Sequence, residues 1–142
     1  MGSVSTERSR RRPRIGRPDA GLTGGCVVVF DSVSITALNS ALDGLALRQR
    51  VIANNIANIQ TPGFHAGKVS FESALADAVA SGSGAATATV AQSLEPTRTD
   101  GNNVNLDEET LSNVDTNLRY QLATQAMDNK FTILAAAMKS SL

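Results

Sequence analysis

Residues able to do chemistry are few in this chain, and they stand apart. His65 is the single histidine, and it follows Pro62-Gly63-Phe64 in a stretch read as a loop. Without neighbouring cysteines or clustered carboxylates it has neither a metal-ligand set nor a partner for nucleophilic catalysis. Cys26 is the single cysteine, so no internal disulfide can form, and no adjacent group activates its thiol. Asp107-Glu108-Glu109 is an acidic run whose position fits the start of a helix, where the dipole favours negative charge. Gly82-Ser83-Gly84 lacks the flanking strand and helix of a phosphate loop. These residues point away from an enzyme and away from a cofactor, metal or small-molecule ligand. The amides remain. Asn54, Asn55 and Asn58 surround Ile52, Ile56 and Ile59, and side-chain amides there can cap backbone groups or cross-link helices. They suggest a helix end buried against other chains. Asn103 and Asn105 form a second cluster, while Asn102 and Asn103 read as turn and cap residues.

The elements that must position these amides follow from apolar spacing. Ile35, Leu38, Leu42, Leu45, Ile52, Ile56 and Ile59 recur in steps of three and four, with only Gln49 interrupting. That is the seam of one helix face. It predicts a first helix over 30–60, capped by Asp31 or Ser32. Pro62 disfavours helical geometry at Thr61, and Gly63 tolerates positive φ, so the helix should end in a fixed exit turn. A second helix is predicted over 107–140. Leu111, Val114, Leu118, Ala123, Met127, Phe131, Leu134 and Met138 form its stripe, with Lys139 favourably placed near its end. The middle, 61–106, reads as largely irregular and flexible. Within it 70–79 could form a short helix with Phe71, Leu75 and Val79 on one face, and the Ala/Ser/Gly/Thr run over 80–89 has linker composition.

The fold class expected is therefore mainly α. Two long terminal amphipathic helices pair as a coiled-coil hairpin or within an intersubunit bundle. The chain of 142 residues has 4% aromatic content and no Trp, too little to fill a thick globular core. The net charge of zero hides an asymmetry. Residues 1–25 carry six Arg against Glu7 and Asp19, and the remainder is acidic. The body offers no basic surface for nucleic acid. Residues 1–28 read as a disordered Arg-rich extension or as translated upstream sequence, and 29–142 as the domain. No run of apolar residues is long enough for a signal core or a membrane span.

Ala53-Asn54-Asn55-Ile56-Ala57-Asn58, two variable positions, then Thr61-Pro62-Gly63-Phe64 resembles the signature of the bacterial flagellar rod and hook proteins. Asp100-Gly101-Asn102-Asn103-Val104, Asn117-Leu118-Arg119-Tyr120-Gln121 and Lys130-Phe131 resemble its short, proximal-rod members. The likeness covers about residues 29–142. It implies a structural subunit of the basal body whose helical seams build a tube around the export channel and transmit torque. It also implies export through the flagellar type III apparatus without a cleaved signal peptide. The implied partners are copies of the chain, other rod proteins, a FliE-type basal-body adaptor, the MS ring and the export gate. Phe71-Glu72-Ser73-Ala74-Leu75 resembles the family's export-gate motif, with Phe71 and Leu75 as its apolar positions, although an ordinary amphipathic turn has the same pattern. The rival reading is a soluble helical adaptor or regulatory protein with a basic tail. Such a protein has no need of the Asn-rich Thr-Pro-Gly exit.

Overall fold

The computed structural model describes residues 24–140, with side chains over 32–139. Five elements follow in order: α1 (Gly24–Ala57), β1 (Gly67–Ser70), α2 (Glu72–Ala80), β2 (Thr89–Gln92) and α3 (Leu106–Ser140). The chain is mainly helical, as expected. α1 and α3 run antiparallel as a long hairpin. Asn55 near the end of α1 meets Glu109 near the start of α3, and Gln49, further back, meets Asn117, further on.

Two boundaries of α1 differ from the sequence expectation. It begins at Gly24 instead of residue 30, so Asp31 and Ser32 lie inside it and not at its start. No Pro or Gly occurs between Cys26 and Asp43, and nothing there breaks a helix. Residues 24–28, read as part of the disordered extension, form its first turns; the rest of that extension lies outside the described residues. α1 also stops at Ala57, well before Pro62. The carbonyls just past its end, of Asn58, Ile59 and Thr61, are taken by side chains arriving from residues 98–102.

The middle segment is more ordered than its composition suggested. β1 and β2 pair antiparallel, Gly67 opposite Gln92 and Ser70 opposite Thr89. α2 fills the place of the short helix expected over 70–79. The linker-like run docks on α1: Ser40 Oγ donates to Gly84 O at 3.2 Å and accepts from the Ala86 N–H at 3.2 Å. Gly84, at φ +66°, lies so close that a Cβ would sit 2.5 Å from Val33 O. Only glycine fits both the conformation and the contact.

One small core joins all the layers. Leu45, Val69 and Phe71 are buried together, and Leu47, Val51, Leu75, Ala88, Tyr120 and Ala123 pack around them. The Phe71 ring lies against Gly44, where a Cβ would approach its carbons to 2.7 Å. One helical turn on, the Arg48 guanidinium stacks 4.9 Å from the ring centroid. Arg48 also pairs with Glu72 at 2.6 Å and donates to Val69 O at 3.0 Å. That ties α1 to β1 and α2 through one side chain.

Candidate assembly site

The exit turn is built from two distant segments. Gly63 has φ +71°, in the left-handed region expected for it, and its N–H donates to Asp100 O at 2.9 Å. Asn102 is fully buried. Its Nδ2 donates to Asn58 O at 2.9 Å and to Thr61 O at 2.8 Å, and its Oδ1 accepts the Val104 N–H at 2.7 Å. Arg98 Nη2 donates to Ile59 O at 2.5 Å. Carbonyls in a turn that leaves a helix have no donor from the helix itself, and here a buried amide and a guanidinium supply one. Within the signature Asn58 bonds back to Asn54 O at 2.8 Å and accepts from Thr61 Oγ1 at 3.2 Å. Asn103, also buried, holds the next strand of backbone: its Oδ1 accepts from Ala66 N–H at 2.7 Å and its Nδ2 donates to Ser93 O at 3.1 Å. Asn102 and Asn103, read from the sequence as turn and cap residues, stand just past the turn that the Gly101 N–H closes on Arg98 O. They are also the cross-links of the module, which the sequence reading missed.

Asn55 performs the third part of this work. It is 1% exposed, between α1, β1 and α3. Its Oδ1 accepts the Gly67 N–H and its Nδ2 donates to Gly67 O, both at 2.9 Å. The same Nδ2 donates to Glu109 Oε1 at 2.9 Å. Burial pushes the Glu109 carboxyl up from its ordinary range, against the pull of the Asn55 bond, and the Glu108 charge adds to the rise. Beside this pair Lys68 contacts Glu95 and, at 2.9 Å, Glu108. The hydrogen bonds it donates to those two carboxylates hold the Lys68 ammonium above its usual value. The acidic start of α3, read as a dipole effect alone, therefore also anchors β1. Among the described residues no group of His, Cys, Asp or Glu is arranged to hold a metal, and His65 is exposed.

The two apolar seams have different fates. On α1, Leu45 and Ile52 are buried inside the chain and Ile35, Leu38, Leu42 and Ile56 are half-buried, as is Ile59 just past its end. On α3, Met127 is buried, Leu134 half-buried, and Leu118 and Phe131 exposed. The single stripe expected on α3 is in fact two. Glu109, Thr116, Tyr120, Ala123 and Met127 share the face against α1, whereas Leu111, Val114, Leu118 and Leu122 share the opposite face. The step from Leu118 to Ala123 is five residues, which turns the helix face by about 140°. The outward set is free of the fold: Leu111 is 72%, Leu118 61% and Leu122 68% exposed. Of the motif compared with an export signal, Phe71 is buried in the core and Leu75 half-buried. Asn54, Thr61, Pro62 and Gly63 are exposed on the surface of the exit turn, and Phe64 is half-buried.

What this arrangement can do is hold shape and present an apolar face. No described helix is long and apolar enough to cross a membrane. Comparison with known proteins agrees with the signature. The family described as flagella basal body rod protein matches residues 35–65, which span most of α1 and the exit turn. The flagellar basal body rod protein FlgB of Bacillus subtilis (strain 168) is 32% identical over 121 residues, covering 75% of this chain and 94% of that protein. FlgB of Aeromonas hydrophila is 33% identical over 115 residues, covering 70% and 87%. FlgB of Escherichia coli (strain K12) is 30% identical over 122 residues, covering 70% and 88%. With the asparagine-locked exit turn and likeness over nearly the whole length of these relatives, the chain belongs to the flagellar basal body rod protein family.

Proposed function

We propose that this chain is a non-catalytic building block of the flagellar rod, placed in its proximal part. Copies of it and of other rod proteins pack through their helices into a tube that carries torque and encloses the export channel. The observation that carries this reading is the outward face of α3. Leu111, Val114, Leu118 and Leu122 form a continuous apolar stripe on a helix whose other face is already sealed against α1. A face of that kind is a packing surface for another helix.

The exit module suits a mechanical role. Apolar contacts are non-directional and slide under shear, whereas hydrogen bonds resist changes of angle. Asn55, Asn102 and Asn103 fix the hairpin, the sheet and the turn to one another by such bonds. The module therefore keeps the exposed stripe at a set angle to the rest of the subunit.

The partners that fit this role are other rod subunits, a FliE-type adaptor, the MS ring and the export gate, at a site outside the cytoplasmic membrane. The chain is taken there by the flagellar export apparatus without a cleaved signal peptide. Phe71 is accessible to an export gate only while the chain is unfolded, since it is a core residue. The test is a deletion strain complemented with a tagged copy. Restored swimming, with the tag found in purified basal bodies at the rod, is the expected result. A deletion strain that swims normally refutes the proposal.

A further inference from the structure

The small sheet leaves one edge open. The Ser93 N–H donates to Ala66 O at 2.7 Å, which fixes the phase of the ladder between β1 and β2. Hydrogen-bonded and non-bonded pairs alternate in an antiparallel ladder. Gly67 therefore turns its N–H and C=O away from β2, to Asn55, and Val69 turns its C=O to Arg48. By the same alternation Gln92, opposite Gly67, and Val90, opposite Val69, turn their own N–H and C=O outward. Nothing among the described residues takes these groups, and all four residues of β2 are exposed. Strand edges are commonly blunted by a charge or a proline. Thr89-Val90-Ala91-Gln92 carries neither, and Leu94, two residues on, is 99% exposed.

We infer that β2 pairs with β2 of a second copy of this chain, antiparallel about a two-fold axis at Ala91, to make one continuous four-stranded sheet. Main-chain donors and acceptors at strand spacing select another strand as the occupant. β1 cannot be that strand, because β2 holds one of its edges and Asn55 and Arg48 hold the other. Among the described residues β2 is thus the strand a second copy has to offer. Its outward groups are self-complementary. They lie one residue to each side of Ala91, so Val90 of each copy meets Gln92 of the other, and each such pair exchanges both bonds. Charge does not oppose the contact: β2 has no ionisable side chain, and Glu95 falls opposite Thr87 of the second copy, not opposite Glu95. The same register sets Leu94 against Ala88 of the second copy, at the margin of its core, and takes that leucine out of water. A two-fold contact closes at two copies. It therefore belongs to the chain outside a growing tube, uses neither long helix, and does not depend on the rod reading.

The test is the sedimentation of the purified full chain over a range of concentrations. Wild type should pass from one copy to two as concentration rises, and go no further. Gln92→Pro deletes an outward N–H, suits an extended backbone and takes nothing from β1. It should stay monomeric with an unchanged circular dichroism spectrum. Should the proline disturb the fold, disulfides read the register instead, in a Cys26→Ser background. Ala91→Cys stands on the axis in a non-hydrogen-bonded pair, with Cα atoms about 4.5 Å apart and within disulfide reach, so oxidation should link it. Two Thr89→Cys chains are held about 14 Å apart and should stay unlinked. A wild type that is monomeric throughout, a folded Gln92→Pro chain that still dimerises, or Thr89→Cys linking as readily as Ala91→Cys each overturn the inference. All three leave the rod reading in place, which fails instead if the chain is absent from basal bodies.

Discussion

The Asn55 side chain pairs with the backbone of Gly67 as a neighbouring strand would. It accepts from the N–H and donates to the C=O, each at 2.9 Å. β2 occupies the other edge of β1, so this amide and the Arg48 bond to Val69 O seal the edge that β2 leaves open. The consequence is that α1, the sheet and α3 meet at one residue.

Replacing Asn55 by Ala should therefore cost far more than a surface change. It leaves Gly67 without either partner and Glu109 buried without its donor. Each unsatisfied buried group costs about 1–3 kcal/mol, so a loss of roughly 2–4 kcal/mol is expected. Urea denaturation of the purified chain, followed by circular dichroism, measures it. Asn54→Ala, one residue away and exposed, is the control and should change little.

Glu109 makes a prediction about pH. Its folded-state pKa is raised above its unfolded value, so the native state binds the extra proton and this carboxyl opposes folding while it is charged. The penalty is present at neutral pH and fades as pH falls through the raised pKa towards the ordinary value of 4.5. Glu109→Gln keeps the acceptor for Asn55 and removes the charge. The variant should be more stable than wild type at pH 7, with the gap shrinking on acidification. Glu72 and Glu95 have lowered pKa values and act oppositely, losing stability as pH falls, so wild type need not stabilise in acid overall. The measured quantity is the difference between the two proteins. A gap that is constant across the range refutes the assignment.

The exit turn separates two neighbours of similar appearance. Gly63 sits at φ +71°, and a Cβ added there would meet no atom within 4 Å, so any cost of substitution is conformational, not steric. Left-handed geometry costs an L-residue roughly 1–2 kcal/mol, and a β-branched one more. Gly63→Val should destabilise by at least that amount and strain the Asp100 contact. His65→Ala should fall within about 0.5 kcal/mol of wild type, as for exposed positions free of special features. Equal effects in thermal melts count against the argument.

How much of this was legible beforehand depended on the range of the interaction. The seams of α1 and α3 show in the three- and four-residue steps, and the positive φ of Gly63 in the Thr61-Pro62-Gly63 break, because both are local. The strands did not show. Gly67–Ser70 and Thr89–Gln92 are four residues each, too short for alternation to register, and β1 is held by Asn55 and Arg48 from another element. The clamp by Asn102 spans some forty positions to Asn58 and Thr61, and no local pattern encodes it. The division of the α3 stripe could have been found, since a step of five between Leu118 and Ala123 breaks the register. So could the seat of Phe71: a lone glycine inside a helical pattern, here Gly44, signals close approach by another group.

Gly44 is directly testable. An added Cβ would stand 2.7 Å from the Phe71 ring, on which Arg48 stacks and beside which Leu45 and Val69 are buried. Alanine normally favours a helix interior over glycine by about 1 kcal/mol. Here overpacking should win, since inserting one carbon into a filled core costs typically 1–3 kcal/mol. Gly44→Ala should therefore lower the melting temperature. Gly44→Ala combined with Phe71→Leu, which withdraws the ring, should recover part of the loss relative to Phe71→Leu alone.

Last, the two apolar surfaces should fail in different ways when charged. Leu45 is 4% exposed and touches the Val69–Phe71 core, so Leu45→Asp buries an unpaired carboxylate. That costs several kcal/mol and should prevent the isolated chain from folding. Leu118 is 61% exposed on the outer face of α3, and aspartate there meets only water in a single copy. Leu118→Asp should melt as wild type does, to within about 0.5 kcal/mol. In the cell, however, the same charge would have to be buried against a neighbour, so both strains should be non-motile. The separation lies in the purified proteins: one unfolded, one folded but missing from basal bodies. A Leu118→Asp strain that swims normally removes the outer face of α3 from the assembly.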